Sequence, residues 1–169
     1  MPRLHVCSLA LIEQEITRTG ARSLVTLLSP GTPIERPALI APERHLNIAM
    51  SDILDPMPGQ VRPEMVHLDA LLDFVDGWDR REAMLIHCYA GVSRSTASAF
   101  IAACKLSPQR DEAEIAQRIR DASPTATPNL RFVKLADERL GRGGRMVSAI
   151  EAIGRGRECM EGTPFALEL

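Results

Sequence analysis

The stretch from residue 83 to residue 105 constrains the fold of this chain more than any other. Residues 83–87 (Ala-Met-Leu-Ile-His) form a short apolar run before a glycine-containing turn, which is typical of a buried strand. Small residues then fill a predicted helix from Ser95 to Lys105. In α/β folds ligands bind at the carboxyl ends of the strands, so we expect the intervening loop to carry a functional site.

The rest of the chain continues the alternation of strands and helices. Further strands are predicted at 4–9, 23–28 and 45–50. Helices are predicted at 12–19, 63–78 and 146–153. Two more helices are predicted to start at Asp111 and at Pro128, with Pro128 as the first helical residue. This order predicts an α/β domain whose central sheet is flanked by helices. We expect a single domain over 1–169, with 141–169 as a C-terminal extension whose packing the sequence leaves open.

Charge and composition argue against several classes of protein. The formal net charge is −2 and the pI is about 6.1, so we expect no nucleic-acid partner, because such proteins carry a strong basic excess. The longest apolar runs are too short to cross a membrane, so no membrane association is expected. The four cysteines show no CxxC pair or zinc-like spacing, and no export signal is apparent. We therefore expect reduced thiols and a cytoplasmic location.

The loop between the strand and the helix has the composition of an anion site. Five residues separate Cys88 from Arg94, which allows the backbone to curl into a ring with its N–H groups pointing inward. The positive end of the following helix adds to the same field. Arg94 offers a planar fork to two phosphate oxygens. The predicted phosphate-binding residues are Tyr89, Ala90, Gly91, Val92, Ser93 and Arg94.

The same environment favours the thiolate form of Cys88, which is the nucleophilic form of cysteine. The hydroxyl of Ser95 is placed to donate a hydrogen bond to the sulfur. His87 is expected to support the loop from the strand side rather than to titrate in catalysis.

Two motifs carry a resemblance to a known family. His-Cys-x5-Arg-Ser at 87–95 resembles the signature loop of the cysteine-dependent protein tyrosine phosphatase superfamily, and its Ala-Gly-Val-Ser-Arg-Ser resembles the dual-specificity branch. Downstream, Pro128-Asn129-x-x-Phe132-x-x-Leu135 resembles a segment that follows the signature loop in that branch. The matches cover roughly residues 45 to 136.

The resemblance implies a two-step hydrolysis without metal or cofactor. Cys88 would attack phosphorus, Arg94 would stabilise the charge, and a carboxylic acid on an upstream loop would protonate the leaving oxygen. Asp52 is the favoured acid because it directly follows the strand-like residues 45–50, and Asp55 is the alternative. Asn129 is expected to support the loop or cap a helix.

The composition of the loop bears on the substrate. Residues 89–93 contain no Lys or Arg, whereas relatives that hydrolyse inositol phosphates often carry basic residues there. The resemblance therefore favours phosphotyrosine, and also phosphoserine or phosphothreonine, in a protein partner over an inositol phosphate. The acidic pI counts against an RNA 5′-phosphate. A catalytically silent phosphate-binding module is the alternative outside the enzymes, and sulfurtransferases and arsenate reductases use a related loop. A further hypothesis is that Cys7 or Cys104 forms a disulfide with oxidised Cys88.

Overall fold

The computed structural model describes residues 2–169, which contain five strands and six α-helices. The strands are β1 (Arg3–Ser8), β2 (Ser23–Leu28), β3 (His45–Ala49), β4 (Met84–Cys88) and β5 (Phe165–Glu168). The helices are α1 (Ile12–Thr19), α2 (Met65–Asp76), α3 (Arg94–Leu106), α4 (Glu112–Ala122), α5 (Leu130–Arg139) and α6 (Arg145–Ile153).

All five strands join one sheet in the order β3-β2-β4-β1-β5. The pairs β2–β3, β2–β4 and β1–β4 are parallel, and only β5 runs antiparallel, on the outer edge of β1. The carboxyl ends of β1 to β4 therefore lie along one edge of the sheet. Ser8, Leu28, Ala49 and Cys88 end these strands, so the predicted loop leaves the middle of that edge.

Both faces of the sheet are covered, which explains why the central strands are apolar on both sides. On one face Leu24 and Leu85 pack with Ile16 of α1. On the other face Val25 and Ile86 pack against the larger group of helices. Alternate residues of a strand point to opposite faces, so neighbouring positions of β2 and β4 enter different cores. This arrangement confirms the predicted α/β class with a central sheet flanked by helices.

One predicted helix start is wrong. Pro128 precedes α5 rather than opening it, and the helix begins at Leu130. Asn129 is the N-cap residue, and its Oδ1 accepts a hydrogen bond from the backbone N–H of Phe132 at 3.1 Å. An asparagine side chain satisfies a free amide of the first turn, which a proline in the first helical position does not do.

The segment 141–169 packs onto the same sheet and helices as the rest of the chain. Helix α6 lies against α4 and α5, and the carboxylate of Asp137 in α5 accepts bonds from the amides of Gly144, Met146 and Val147 at its start. Beyond α6 the chain returns past the loop of Cys88 and ends in β5. Within residues 2–169, every helix falls short of the length and apolarity that a bilayer crossing requires.

Candidate active site

Surrounding segments of the chain hold the loop between β4 and α3 through hydrogen bonds to its carbonyl groups. Four of its carbonyl oxygens accept backbone hydrogen bonds from other parts of the chain. These are Tyr89 from Leu9 (3.1 Å), Ala90 from Gly162 (2.8 Å), Val92 from Thr127 (2.9 Å) and Ser93 from Asn129 (3.2 Å). The donors come from the end of β1, from the segment after α6 and from the approach to α5. Distant segments therefore determine the shape of the loop.

Outward carbonyls imply inward amides. The C=O and N–H of one peptide unit point in opposite directions, so the N–H groups of Ala90, Gly91, Ser93 and Arg94 face the interior of the loop. No N–H group from residue 89 to residue 94 donates to an acceptor within residues 2–169. Such a ring of free amides at the start of a 13-residue helix is an anion-binding concavity.

Gly91 is required by both conformation and space. Its φ of +73° lies in the left-handed region, which side chains other than glycine rarely adopt. A Cβ atom at this position would lie 2.8 Å from the carbonyl carbon of Cys7 and 2.9 Å from the backbone nitrogen of Ser8. The loop thus touches the backbone at the end of β1, and only glycine permits this approach.

Cys88 and Ser95 form a buried pair at the base of the loop. The Sγ of Cys88 lies 3.1 Å from the Oγ of Ser95, and neither side chain is more than 2% exposed. A serine hydroxyl at this distance donates a hydrogen bond to a thiolate.

Arg94 is buried, with 6% of its surface exposed, yet one of its donors has no protein partner. Its Nη1 donates to the carbonyl of Met50 at 2.9 Å and to Oγ of Ser29 at 3.3 Å. Its buried Nε finds no acceptor within residues 2–169. An unpaired buried guanidinium N–H is costly, and the Nε edge is the edge that binds an oxyanion in bidentate fashion. These bonds hold the side chain in place and leave that edge for a ligand.

Asp52 lies at the rim of the loop. Its Oδ1 accepts from the hydroxyl of Ser93 at 2.7 Å and from Nδ2 of Asn129 at 2.9 Å, while Oδ2 makes no hydrogen bond within the described chain. Asn129 also donates to the carbonyl of Ile53 at 3.3 Å. Asp55 is exposed and has no side-chain hydrogen bond among residues 2–169. The structure therefore joins Asp52 to the loop and does not join Asp55.

His87 supports the loop through a chain of hydrogen bonds across three strands. Its Nδ1 lies 3.1 Å from the carbonyl of Cys88, which can only accept, so Nδ1 carries the proton. Its Nε2 then accepts from the Thr26 hydroxyl at 2.8 Å, and that oxygen accepts from Nε2 of His45, also at 2.8 Å. Burial lowers the pKa of His87 from 6.5 to about 4, so the ring is neutral at physiological pH.

Comparisons with known proteins were made by sequence and by structure. No protein-family model matches the chain, and no curated protein matches it. Several solved structures do. The PTP-2 phosphatase of Cydia pomonella has a TM-score of 0.62 at 22% identity, covering 80% of this chain and 84% of its own. Human DUSP28 has a TM-score of 0.60 at 22% identity, and the match covers 89% of this chain and 92% of the DUSP28 chain. The Yvh1 phosphatase domain of Chaetomium thermophilum has a TM-score of 0.61 at 19% identity, and the match covers 85% of this chain and 93% of the Yvh1 chain.

This chain has the fold of the dual-specificity phosphatases. At these identities the likeness establishes the fold, and it agrees with the resemblance drawn from the two motifs. The match extends over most of each phosphatase chain, well beyond the motifs themselves.

In this dual-specificity phosphatase fold the other buried thiols, Cys7 on β1 and Cys104 on α3, lie elsewhere than on the loop of Cys88. Cys7 pairs with His87 across the sheet and Ser8 pairs with Cys88, so the side chains of Cys7 and Cys88 point to opposite faces. Cys104 lies ten residues into α3, about 15 Å from its start. Burial raises the pKa of Cys7 far above its ordinary value and that of Cys104 to about 12. This geometry disfavours a disulfide from either thiol to Cys88.

Several groups that shape the site carry no sequence motif. The side chains of Ser29 and Thr26, the carbonyl of Met50 and the amide of Gly162 all contact the loop, Arg94 or His87. The only signal in the sequence is that Ser29 directly follows one predicted strand and Met50 ends another, since parallel strands bring their carboxyl ends together. Gly162 lies in the last sixteen residues, for which the sequence predicts no element.

Proposed function

We propose that this protein hydrolyses phosphate monoesters through a covalent phosphocysteine on Cys88. The observation that carries the proposal is the ring of inward amides in the Cys88 loop, together with the buried Arg94, whose Nε has no hydrogen-bond acceptor among residues 2–169. A tetrahedral dianion supplies acceptors for both sets of donors at once. The fold likeness to dual-specificity phosphatases supports the same chemistry.

In the first step the thiolate of Cys88 attacks phosphorus and forms the S–P bond. The P–O bond to the leaving group breaks, and the protonated carboxyl of Asp52 donates its proton to that oxygen. Both hydrogen bonds to Asp52 end on Oδ1, so Oδ2 is the oxygen free to carry the proton. The loop amides and Arg94 stabilise the charge on the three non-bridging oxygens, which is where it lies in the transition state.

In the second step water attacks phosphorus from the side that the leaving group has vacated. The carboxylate of Asp52 takes a proton from this water, the S–P bond breaks, and inorganic phosphate forms while the thiolate returns. Ser95, 3.1 Å from the sulfur, donates a hydrogen bond that stabilises the departing thiolate. Asp52 therefore acts as acid and then as base, and the two steps balance without another reactant.

The proposed substrates are phosphotyrosine and, in addition, phosphoserine and phosphothreonine in proteins. Residues 89–93 contribute no cation to the loop beyond Arg94 itself. A single phosphate is matched by one guanidinium and the ring of amides, whereas a polyphosphorylated ligand requires further cations.

The test is the hydrolysis of para-nitrophenyl phosphate from about pH 4.5 to about pH 8. We expect a bell-shaped profile with its maximum on the acid side, since the reaction needs a thiolate together with a protonated carboxyl. Cys88→Ser should abolish turnover. Cys159→Ser is the matched control because Cys159 is an exposed free cysteine outside the loop, and it should leave turnover of this small ester unchanged.

Two results would contradict the proposal. Turnover that survives Cys88→Ser would exclude the phosphocysteine. A folded, reduced native protein that binds inorganic phosphate by calorimetry but releases none from the ester would instead be a phosphate-binding module.

A further inference from the structure

A groove lies directly beside the candidate active site, on the outer side of the loop. It has a volume of about 910 Å³. Asp52 and Ser93 form its border with the active site, Leu130 and Ile150 contribute to its floor, and residues 154–160 form the far wall. We call this feature the C-terminal groove. Its volume is in the range of sites that enclose most of a drug-sized ligand.

The far wall of the C-terminal groove is anchored by backbone hydrogen bonds. Gly156 donates to the hydroxyl of Thr127 at 3.1 Å, and Arg157 donates to the carbonyl of Pro124 at 2.9 Å. A Cβ atom on Gly156 would lie 2.5 Å from the backbone of Thr125, so the wall approaches as closely as a glycine allows. The groove is therefore formed before any ligand arrives, which lowers the cost of binding.

The groove is unsuited to a polyanion. Its charged side chains are two arginines and three carboxylates, so they carry one net negative charge. They are Arg155, Arg157, Asp52, Glu151 and Glu158. Inositol polyphosphates and RNA require a cationic surface, and this one would repel them.

The remaining lining of the groove is largely apolar. Leu130 and Ile150 are accompanied by Met160, whose side chain is 97% exposed. Together these side chains give the groove its apolar lining.

We infer that the C-terminal groove binds the uncharged, apolar residues that flank the phosphorylated side chain of a protein substrate. The inference rests on the proposed function and deepens it. Asp52 and Ser93 belong to both the active site and the groove, so a chain whose phosphate lies in the loop continues into the groove without a gap. The absence of a net positive charge selects a peptide over a polyanion as the occupant.

The experiment compares kcat/KM for four substrates. They are para-nitrophenyl phosphate, a phosphotyrosine peptide with leucine and isoleucine on both sides of the phosphotyrosine, the same peptide with serine and glycine there, and an inositol trisphosphate. We expect the apolar peptide to exceed the serine–glycine peptide by about tenfold, the effect of burying one or two apolar side chains. The inositol phosphate should be the poorest substrate.

Met160→Glu tests the groove itself. We expect it to lower kcat/KM for the apolar peptide about tenfold and to leave para-nitrophenyl phosphate unchanged. Val66→Glu is the matched control, because Val66 is an exposed apolar residue of α2, 69% exposed, that does not line the groove. It should change neither rate.

The outcomes separate the two proposals. Equal rates for the two peptides, a preference for the inositol phosphate, or a Met160→Glu variant that behaves like Val66→Glu would overturn the inference while hydrolysis of the small ester stands. Absence of hydrolysis of the small ester by the native protein would overturn the proposed function and the inference together.

Discussion

Gly91→Ala isolates the contact on which the shape of the loop depends. The substitution places a side chain in the left-handed region, which costs about 1–2 kcal/mol. It also places a methyl group 2.8–2.9 Å from three backbone atoms of Cys7 and Ser8, none of which can rotate away. Overpacking of this kind costs a further 1–3 kcal/mol, roughly. The free energy of unfolding should therefore fall by about 2–5 kcal/mol.

Gly20→Ala provides the control. Gly20 has a φ of +71°, almost that of Gly91, but a Cβ atom there meets no atom within 4 Å. Gly20→Ala should lower the free energy of unfolding by the backbone contribution alone, about 1–2 kcal/mol. Urea unfolding followed by the fluorescence of Trp78, the single and buried tryptophan, measures both variants. The difference between the two variants in the free energy of unfolding is the steric contribution of the contact with β1. This difference should separate their urea midpoints by about 1 M.

The same two proteins should differ more strongly in activity. A loop displaced from β1 loses its inward amides, so Gly91→Ala should reduce hydrolysis of para-nitrophenyl phosphate by about 100-fold or more. Gly20→Ala should keep native turnover. If Gly91→Ala were no less stable than Gly20→Ala and equally active, the contact with Cys7 and Ser8 would not determine the loop.

Three further predictions concern other parts of the molecule. Asp52→Asn should lower kcat for para-nitrophenyl phosphate about 100- to 1,000-fold near pH 6, whereas Asp55→Asn should change it less than about twofold, and the reverse order would assign the acid to Asp55. Burial lowers the pKa of His87 to about 4. As the pH falls, this histidine is therefore protonated in the unfolded chain before it is protonated in the folded protein. The free energy of unfolding should fall by up to about 1.4 kcal/mol per pH unit as the pH drops from about 6.5 to about 4, and His87→Gln should flatten that slope in urea titrations. Asp137→Ala should destabilise the protein by about 2–3 kcal/mol, since the buried carboxylate accepts three amides at the start of α6, while its exposed neighbour Glu138→Ala should be nearly neutral by the same urea measurement.

The local sequence was sufficient to predict the elements that contain strong periodic or boundary signals. Strand β2 and helix α1 have the predicted bounds, because a mainly apolar run and an amphipathic run ending at Gly20 are local signals. The start of α5 was misplaced by two residues, because Pro128 and Asn129 both favour a helix start and the choice depends on the side-chain bond of Asn129. Strand β5 was missed, since an edge strand of four residues is stabilised by its neighbour β1 and has little signal of its own.

For the site, the sequence determined which residues carry the proposed chemistry, and the tertiary structure decided their geometry. The spacing of Cys88, Arg94 and Ser95 is local, so one loop and one turn of helix bring these side chains together wherever the strand–loop–helix unit forms. The contact of Asp52 with Ser93 and Asn129, the anchoring of Arg94 by Met50, and the bond from Gly162 to the loop join residues that lie tens of positions apart. Such contacts depend on the order and register of the parallel strands and on the path of the chain after α6. The order and register of the strands and the path of the chain cannot be read from a single sequence. They arise from the packing of whole elements rather than from the preferences of neighbouring residues.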